Sequence, residues 1–113
     1  MSRRVLVVED ESMVAMLIED LIEDMGLQVA GSAASAAQAL HMATTLAFDI
    51  ALLDVNLGDG ETSMETAAVL IERGIPFAFL TGYGPAGVPE AHRHRTILTK
   101  PVDPAALRRF LES

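Results

Sequence analysis

The chain has 113 residues, half of them hydrophobic and 21% charged, which suits one domain, residues 1–113, with a real core and no staples. A formal charge of −8 disfavours direct nucleic-acid binding, which needs a basic face, and zero cysteines remove disulfides, thiolate zinc sites and cysteine nucleophiles together. No apolar run nears the roughly 20 residues that span a bilayer. The run after Arg3-Arg4 is cut by Glu9-Asp10-Glu11 too early for a signal peptide, so a cytoplasmic protein with no membrane partner is expected.

Arg4 to Val8 has the pattern of a strand buried on both faces and stops at three consecutive acids. Val14, Leu17, Ile18, Leu21, Ile22 and Met25 then recur at helical spacing, with Ser12 able to cap the helix and Gly26 to end it. Gln28 to Ser32 reads as a short strand weakened by Gly31. Ala33, Ala37, Leu40, Ala43 or Thr44, and Ala47 give a small-residue face to a helix over about Ser35 to Thr45. Ile50-Ala51-Leu52-Leu53-Asp54 is an apolar strand ending on a lone carboxylate, where Asp, a poor strand former, marks the exit into a loop.

Asn56 to Gly60 is turn chemistry, and Thr62-Ser63-Met64-Glu65 matches a capping box with Thr62 as the cap of a helix running to Arg73 and stopping at Gly74. Phe77 to Thr81 is a fourth buried strand. Gly82 to Arg95 opposes a regular helix through Gly84, Pro85, Gly87 and Pro89, and Glu90 to His94 allows only a short one. This segment is expected to be mobile and to order on partner binding or modification. Thr96 to Thr99 is a fifth strand. Asp103-Pro104 caps a last helix with Leu107, Phe110 and Leu111 inward. His41, His92 and His94 make no convincing metal set and are expected at the surface.

Five β-α alternations, one with a short or irregular fourth helix, specify an α/β doubly wound (βα)5 fold with a five-stranded parallel sheet. Ligands of such sheets bind outside the carboxyl ends of the strands. In the order 2-1-3-4-5 the first and third strands are neighbours, so Glu9, Asp10 and Asp54 would crowd one pocket. Like charges about 4 Å apart repel by roughly 4 kcal/mol at an effective dielectric near 20. The carboxylates would then either shift their pKa values upward or bind a cation, and Mg²⁺ suits a few carboxylates plus waters. Lys100 is the sole lysine, a point charge at the end of the fifth strand.

With Glu9-Asp10, Asp54, Thr81 and Lys100-Pro101 each at a strand end and in this order, the whole chain resembles a response-regulator receiver domain of two-component signalling. The Phe79-Leu80-Thr81-Gly82-Tyr83 run is similar to a Phe-Ala-Thr-Gly subgroup of stand-alone or hybrid-kinase receivers. The resemblance implies a flavodoxin-like fold and Mg²⁺ held by Glu9, Asp10, Asp54 and the Asn56 backbone carbonyl. It implies that Asp54 accepts a phosphoryl group from a histidine kinase phosphohistidine or a histidine phosphotransfer protein. Thr81 would then hydrogen-bond that group, Lys100 would neutralise it, and Lys100-Pro101 is a candidate cis peptide. The family's usual switch aromatic is replaced by Ile97, leaving Tyr83 as the candidate substitute, and the output partner is an unknown protein.

A phosphate shuttle or sink, or a receiver excised from a hybrid kinase, is the alternative within this class. Met1 leads to the expectation of a stand-alone regulator, with no output module expected after the last helix. A phosphohydrolase is disfavoured because position 56 is Asn where a second carboxylate would act as general acid, and a structural pseudo-receiver because Asp54 and Lys100 are both present. A flavin module is disfavoured because no phosphate-cradling loop follows the first strand.

Overall fold

The structure is a computed structural model that describes residues 3–113; Met1 and Ser2 lie outside the described residues. Strands β1 (Arg4–Val8), β2 (Gln28–Ala33), β3 (Ile50–Asp54), β4 (Phe77–Thr81) and β5 (Thr96–Thr99) form one parallel sheet in the order β2-β1-β3-β4-β5. Helices α1 (Ser12–Asp24), α2 (Ala36–Thr45), α3 (Met64–Arg73) and α4 (Pro104–Leu111) alternate with them. Between β4 and β5 there are only two 3₁₀ turns, Gly84–Gly87 and Glu90–His92. This is the flavodoxin-like fold with an irregular fourth crossover.

Alternation within the strands divides the core in two. Val5, Val7, Ile50, Leu52, Ala78 and Leu80 face Ile18 and Ile22 of α1 and Leu107 and Leu111 of α4. Leu6, Val8, Ala51, Leu53, Phe77 and Phe79 face α2, α3 and Val88 of the irregular segment. Val5–Val8, Ile50–Leu53 and Phe77–Leu80 of the central strands are therefore unbroken apolar runs, as a sheet covered on both faces requires. Val88 supplies, from a turn, apolar cover that a helix would otherwise bring.

Several local details differ from the sequence reading. Leu17 is 55% exposed and lies beside exposed Met13 and Met16; Ala15 takes its place in the buried stripe. Ser12 is already helical, and Glu11 occupies the cap position without a side-chain bond. Helix α2 buries Ala36, Ala39 and Ala43 with Met42 and Leu46, a face rotated from the predicted one. Small residues at this spacing let the helix approach β2, where a Cβ on Gly31 would stand 2.9 Å from Leu46 Cδ1. Gly31 thus sits at an irregularity in the β1–β2 register, and the strand continues to Ala33.

Helix α3 starts one residue later than the predicted box, with Ser63 as cap. Thr62 is tied down by an antiparallel bridge to Asn56, and its hydroxyl accepts only a long 3.4 Å bond from Met64 N–H. In α4 the Asp103 carboxylate caps as expected, Leu107 and Leu111 are fully buried, and Phe110 is half-buried at the edge. His92 is not a plain surface residue: its ring packs edge-on to Phe79 at 5.8 Å. His41 and His94 are exposed.

Candidate functional site

The carboxyl ends of β1, β3, β4 and β5 meet at one rim of the sheet. Parallel hydrogen bonding carries past the strand ends, with Glu9 N–H donating to Ala33 O, Val55 N–H to Leu80 O and Lys100 N–H to Thr81 O at 2.9–3.1 Å. These bonds fix the backbone under Glu9, Asp54, Thr81 and Lys100 relative to one another. The peptide bond between Lys100 and Pro101 is cis, as anticipated.

Glu9 is buried, Asp10 exposed and Asp54 only 5% exposed, and one carboxylate oxygen from each lies within 4.8 Å of the others. At that separation each ionised pair would repel by roughly 3–4 kcal/mol at an effective dielectric near 20. Lys100 answers this charge. Its Nζ lies 2.7 Å from Glu9 Oε1, an ion pair, and donates to Asp54 Oδ2 at 2.9 Å. The second Glu9 oxygen accepts from Glu11 N–H at 3.1 Å, which orients the carboxylate.

Burial is the main force on Asp54, pushing its carboxyl from 3.8 up to about 7, and Glu9 adds to the rise while Lys100 opposes it. Burial alone would lower Lys100, but Glu9 and Asp54 outweigh it and hold the ammonium above its usual pKa.

The loop after β3 is ordered by its turns. Leu57 N–H bonds Glu61 O, Glu61 N–H bonds Gly58 O, and Ser63 N–H bonds Val55 O. None of these uses the Asn56 carbonyl. Gly58, at φ 82°, brings the loop against Asp10, where an added Cβ would stand 3.4 Å from Asp10 Oδ2. The resulting open cleft of about 470 Å³ is lined by Asp10, Asp54, Asn56, Gly58, Tyr83 and Lys100, among others. A larger groove between α2 and the start of α3, about 640 Å³, carries Glu61 and Glu65 but no cation, and lacks comparable chemistry.

Thr81 is 2% exposed and its hydroxyl accepts from Tyr83 N–H at 3.1 Å. The Tyr83 side chain is exposed at the cleft, while Ile97 is half-buried against the α2–α3 side of the core. Of the residues singled out in the sequence, Asp10, Asp54, Asn56, Tyr83 and Lys100 line one cleft, with Glu9 paired to Lys100 and Thr81 bonded to Tyr83 beside it, whereas Ile97 lies away from it. Two features escape the sequence reading. One is the direct Lys100–Glu9 pair, since nothing in a single sequence says that the fifth strand's lysine reaches the first strand's acid. The other is Gly87, which packs against Thr81; its only signal is a glycine in a segment rich in them.

The doubly wound sheet thus carries an acid cluster and one lysine at the carboxyl ends of its strands. The chain belongs to the response regulator receiver domain family, whose model matches residues 5–112, and is thus a receiver domain of two-component signalling.

Among known proteins it is similar to the phyllosphere-induced regulator PhyR of Methylorubrum extorquens, 31% identical over 74% of this chain and 32% of that protein. The chain spans about a third or less of the curated relatives it matches. It is also similar to SdrG of Sphingomonas melonis Fr1, whose solution structure is 36% identical with a TM-score of 0.87, covering 98% of this chain and 94% of that one. The BeF3-activated conformation of SdrG from Pseudomonas melonis Fr1 is 37% identical with a TM-score of 0.82, covering 99% and 97%.

Proposed function

We propose that this receiver is a phosphoacceptor in which Asp54 takes a phosphoryl group from a phosphohistidine of a histidine kinase or histidine phosphotransfer protein. The observation that carries this reading is the Lys100 ammonium 2.9 Å from Asp54 Oδ2, at a strand end open to a cleft. An Asp54 oxygen attacks phosphorus in line, the phosphorus–nitrogen bond breaks, and the imidazole leaves with the electron pair. The product is an aspartyl phosphate. Lys100 already stands beside the attacking carboxylate and would offset the charge gathering on the phosphoryl oxygens.

The donor set fits a hard cation. Three carboxylates converge within 4.8 Å, and the neighbouring Asn56 carbonyl is not engaged by the loop's own bonds. Mg²⁺ is the ion such oxygens suit, held by Glu9, Asp10, Asp54 and Asn56 O, and when bound it would supply charge neutralisation at the phosphoryl oxygens. Thr81 would turn from Tyr83 N–H to the phosphoryl group, and with Tyr83 would change the surface offered to an output protein. SdrG, alike over nearly the whole chain, has a BeF3-activated conformation, which supports the same behaviour here. Residues 1–113 would act as one unit, with no turnover of a small substrate beyond loss of its own phosphoryl group.

Incubation with acetyl phosphate and Mg²⁺, followed by intact-mass measurement, tests the proposal. One added phosphoryl group is expected on the wild type and none on Asp54→Asn. No gain on the wild type, or the same gain on both, contradicts it.

A further inference from the structure

The chain turns back onto Thr81 after leaving it. Gly84 adopts a left-handed φ of 61° and opens the Gly84–Gly87 turn, which closes with Val88 N–H donating to Pro85 O at 3.1 Å. Val88 is buried among Phe79 and its neighbours, and Arg93 Nε donates to both Pro85 O and Val88 O. The turn is therefore anchored below by an apolar side chain and tied from outside by a guanidinium. Its last residue, Gly87, lies directly over the Thr81 side chain. A methyl group added there would overlap the Thr81 hydroxyl oxygen, and would stand 3.1 Å from Tyr83 Cβ and 3.2 Å from Thr81 Cβ. The φ of Gly87 is not left-handed, so the need for glycine is one of space rather than backbone conformation.

We infer that Gly87 is a positioning residue: it seats the Gly84–Gly87 turn on the Thr81 hydroxyl, holds that hydroxyl on the Tyr83 N–H, and passes any movement of Thr81 to the turn. The inference rests on the phosphoacceptor reading for the event that moves Thr81. Two things are joined at this hydroxyl, the Tyr83 amide bonded to it and the Gly87 backbone packed on it. When the hydroxyl turns away, the amide loses its acceptor and the turn loses the surface it rests on. Because Val88 and Arg93 bind the turn into one piece, the segment shifts as a unit rather than fraying. This supplies a route from site to surface in a chain with Ile97 where a switch aromatic would stand.

The test uses amide and methyl NMR spectra of the wild type, Gly87→Ala, Thr81→Ala and the double variant, first with no phosphoryl analogue. In Gly87→Ala the Gly82–Val88 amides and the Thr81 methyl should leave their wild-type positions while β1 and β3 amides stay. Combining it with Thr81→Ala, which removes the overlapping oxygen, should return the turn amides to those of Thr81→Ala alone. Loss of the sheet signals in Gly87→Ala that Thr81→Ala rescues supports the inference equally. Unmoved turn amides, or a disturbance that Thr81→Ala fails to relieve, overturns it.

Titration with beryllofluoride and Mg²⁺ is the second arm. Freeing Thr81 in Gly87→Ala should lower the midpoint roughly five- to tenfold, at the low end of the usual range of coupling between two sites; an unchanged or raised midpoint counts against the inference. A wild type that ignores beryllofluoride contradicts the phosphoacceptor reading, and the unliganded comparison then decides on Gly87 alone.

Discussion

Lys100 Nζ lies 2.7 Å from Glu9 Oε1, so the ammonium at the end of β5 holds a fully buried carboxylate at the end of β1 as well as Asp54 between them. Lys100 thus balances both carboxylates, and removing it leaves Glu9 buried and Asp54 nearly so without a cationic partner. Lys100→Ala is expected to destabilise the metal-free protein by about 2–4 kcal/mol, the cost of breaking a largely buried pair. Mg²⁺ should then raise the melting temperature of the variant by more than that of the wild type, because no ammonium competes for Glu9. Thermal unfolding with chelator and with excess Mg²⁺ checks this. Equal Mg²⁺ increments in both proteins would contradict it.

Asp54 gives the site a pH dependence of definite sign. Burial foremost, then Glu9, raises its folded pKa from 3.8 to about 7. A group with a raised folded pKa stabilises the fold while protonated, and this contribution is full below about pH 4 and lost as pH rises through about 7. Asp54→Asn stays neutral throughout. It should therefore gain ~1–2 kcal/mol over the metal-free wild type at about pH 8, discounted from the ~4 that the full shift would represent because the cleft is open to solvent. Near pH 4 the two should be alike. Urea unfolding at both pH values with chelator reads the difference, and a pH-independent gap would count against the raised pKa.

The Gly82 to Arg95 segment is predicted from its glycines and prolines to be mobile, and in the structure its two 3₁₀ turns are tied by Arg93. Arg93→Ala should speed hydrogen exchange at Val88, His92, Arg93 and Arg95 roughly tenfold and leave β1 and β3 unchanged, since local opening draws on local bonds. Addition of beryllofluoride and Mg²⁺ to the wild type should slow exchange across the segment. Exchange as slow as in the central strands before any addition would rule out the mobility.

Gly31 makes room for α2 at the β1–β2 irregularity. Gly31→Val should lower stability by about 1–3 kcal/mol through overpacking against Leu46 and Met42, with Gly31→Ala less harmful because Leu46 Cδ1 can move. Urea midpoints provide the comparison, and a neutral Gly31→Val would show that α2 is not seated there.

Period and run length make most of this fold legible. Val5 to Val8, Ile50 to Leu53 and Phe77 to Leu80 are apolar without interruption, which only a sheet covered on both faces explains, and strand exits onto Glu9, Asp54, Thr81 and Lys100 follow. What one sequence conceals is tertiary. Leu17 fits the helical stripe yet is exposed, while the smaller Ala15 is buried. Thr62 has the chemistry of a cap, but its bridge to Asn56 hands the cap to Ser63. The Lys100–Glu9 pair joins the last strand to the first, and the Gly87–Thr81 contact depends on how a turn folds back; no local pattern encodes either.

The claim that Asp54 is the phosphoacceptor is settled by trapping the acyl phosphate chemically. After acetyl phosphate and Mg²⁺, borohydride reduces an aspartyl phosphate to homoserine, which peptide mass mapping can place. Homoserine at position 54, dependent on Mg²⁺ and reduced in Lys100→Ala, is the predicted result. Homoserine at Asp10 or elsewhere with none at 54, or no trapped product while the sheet remains folded, would contradict it.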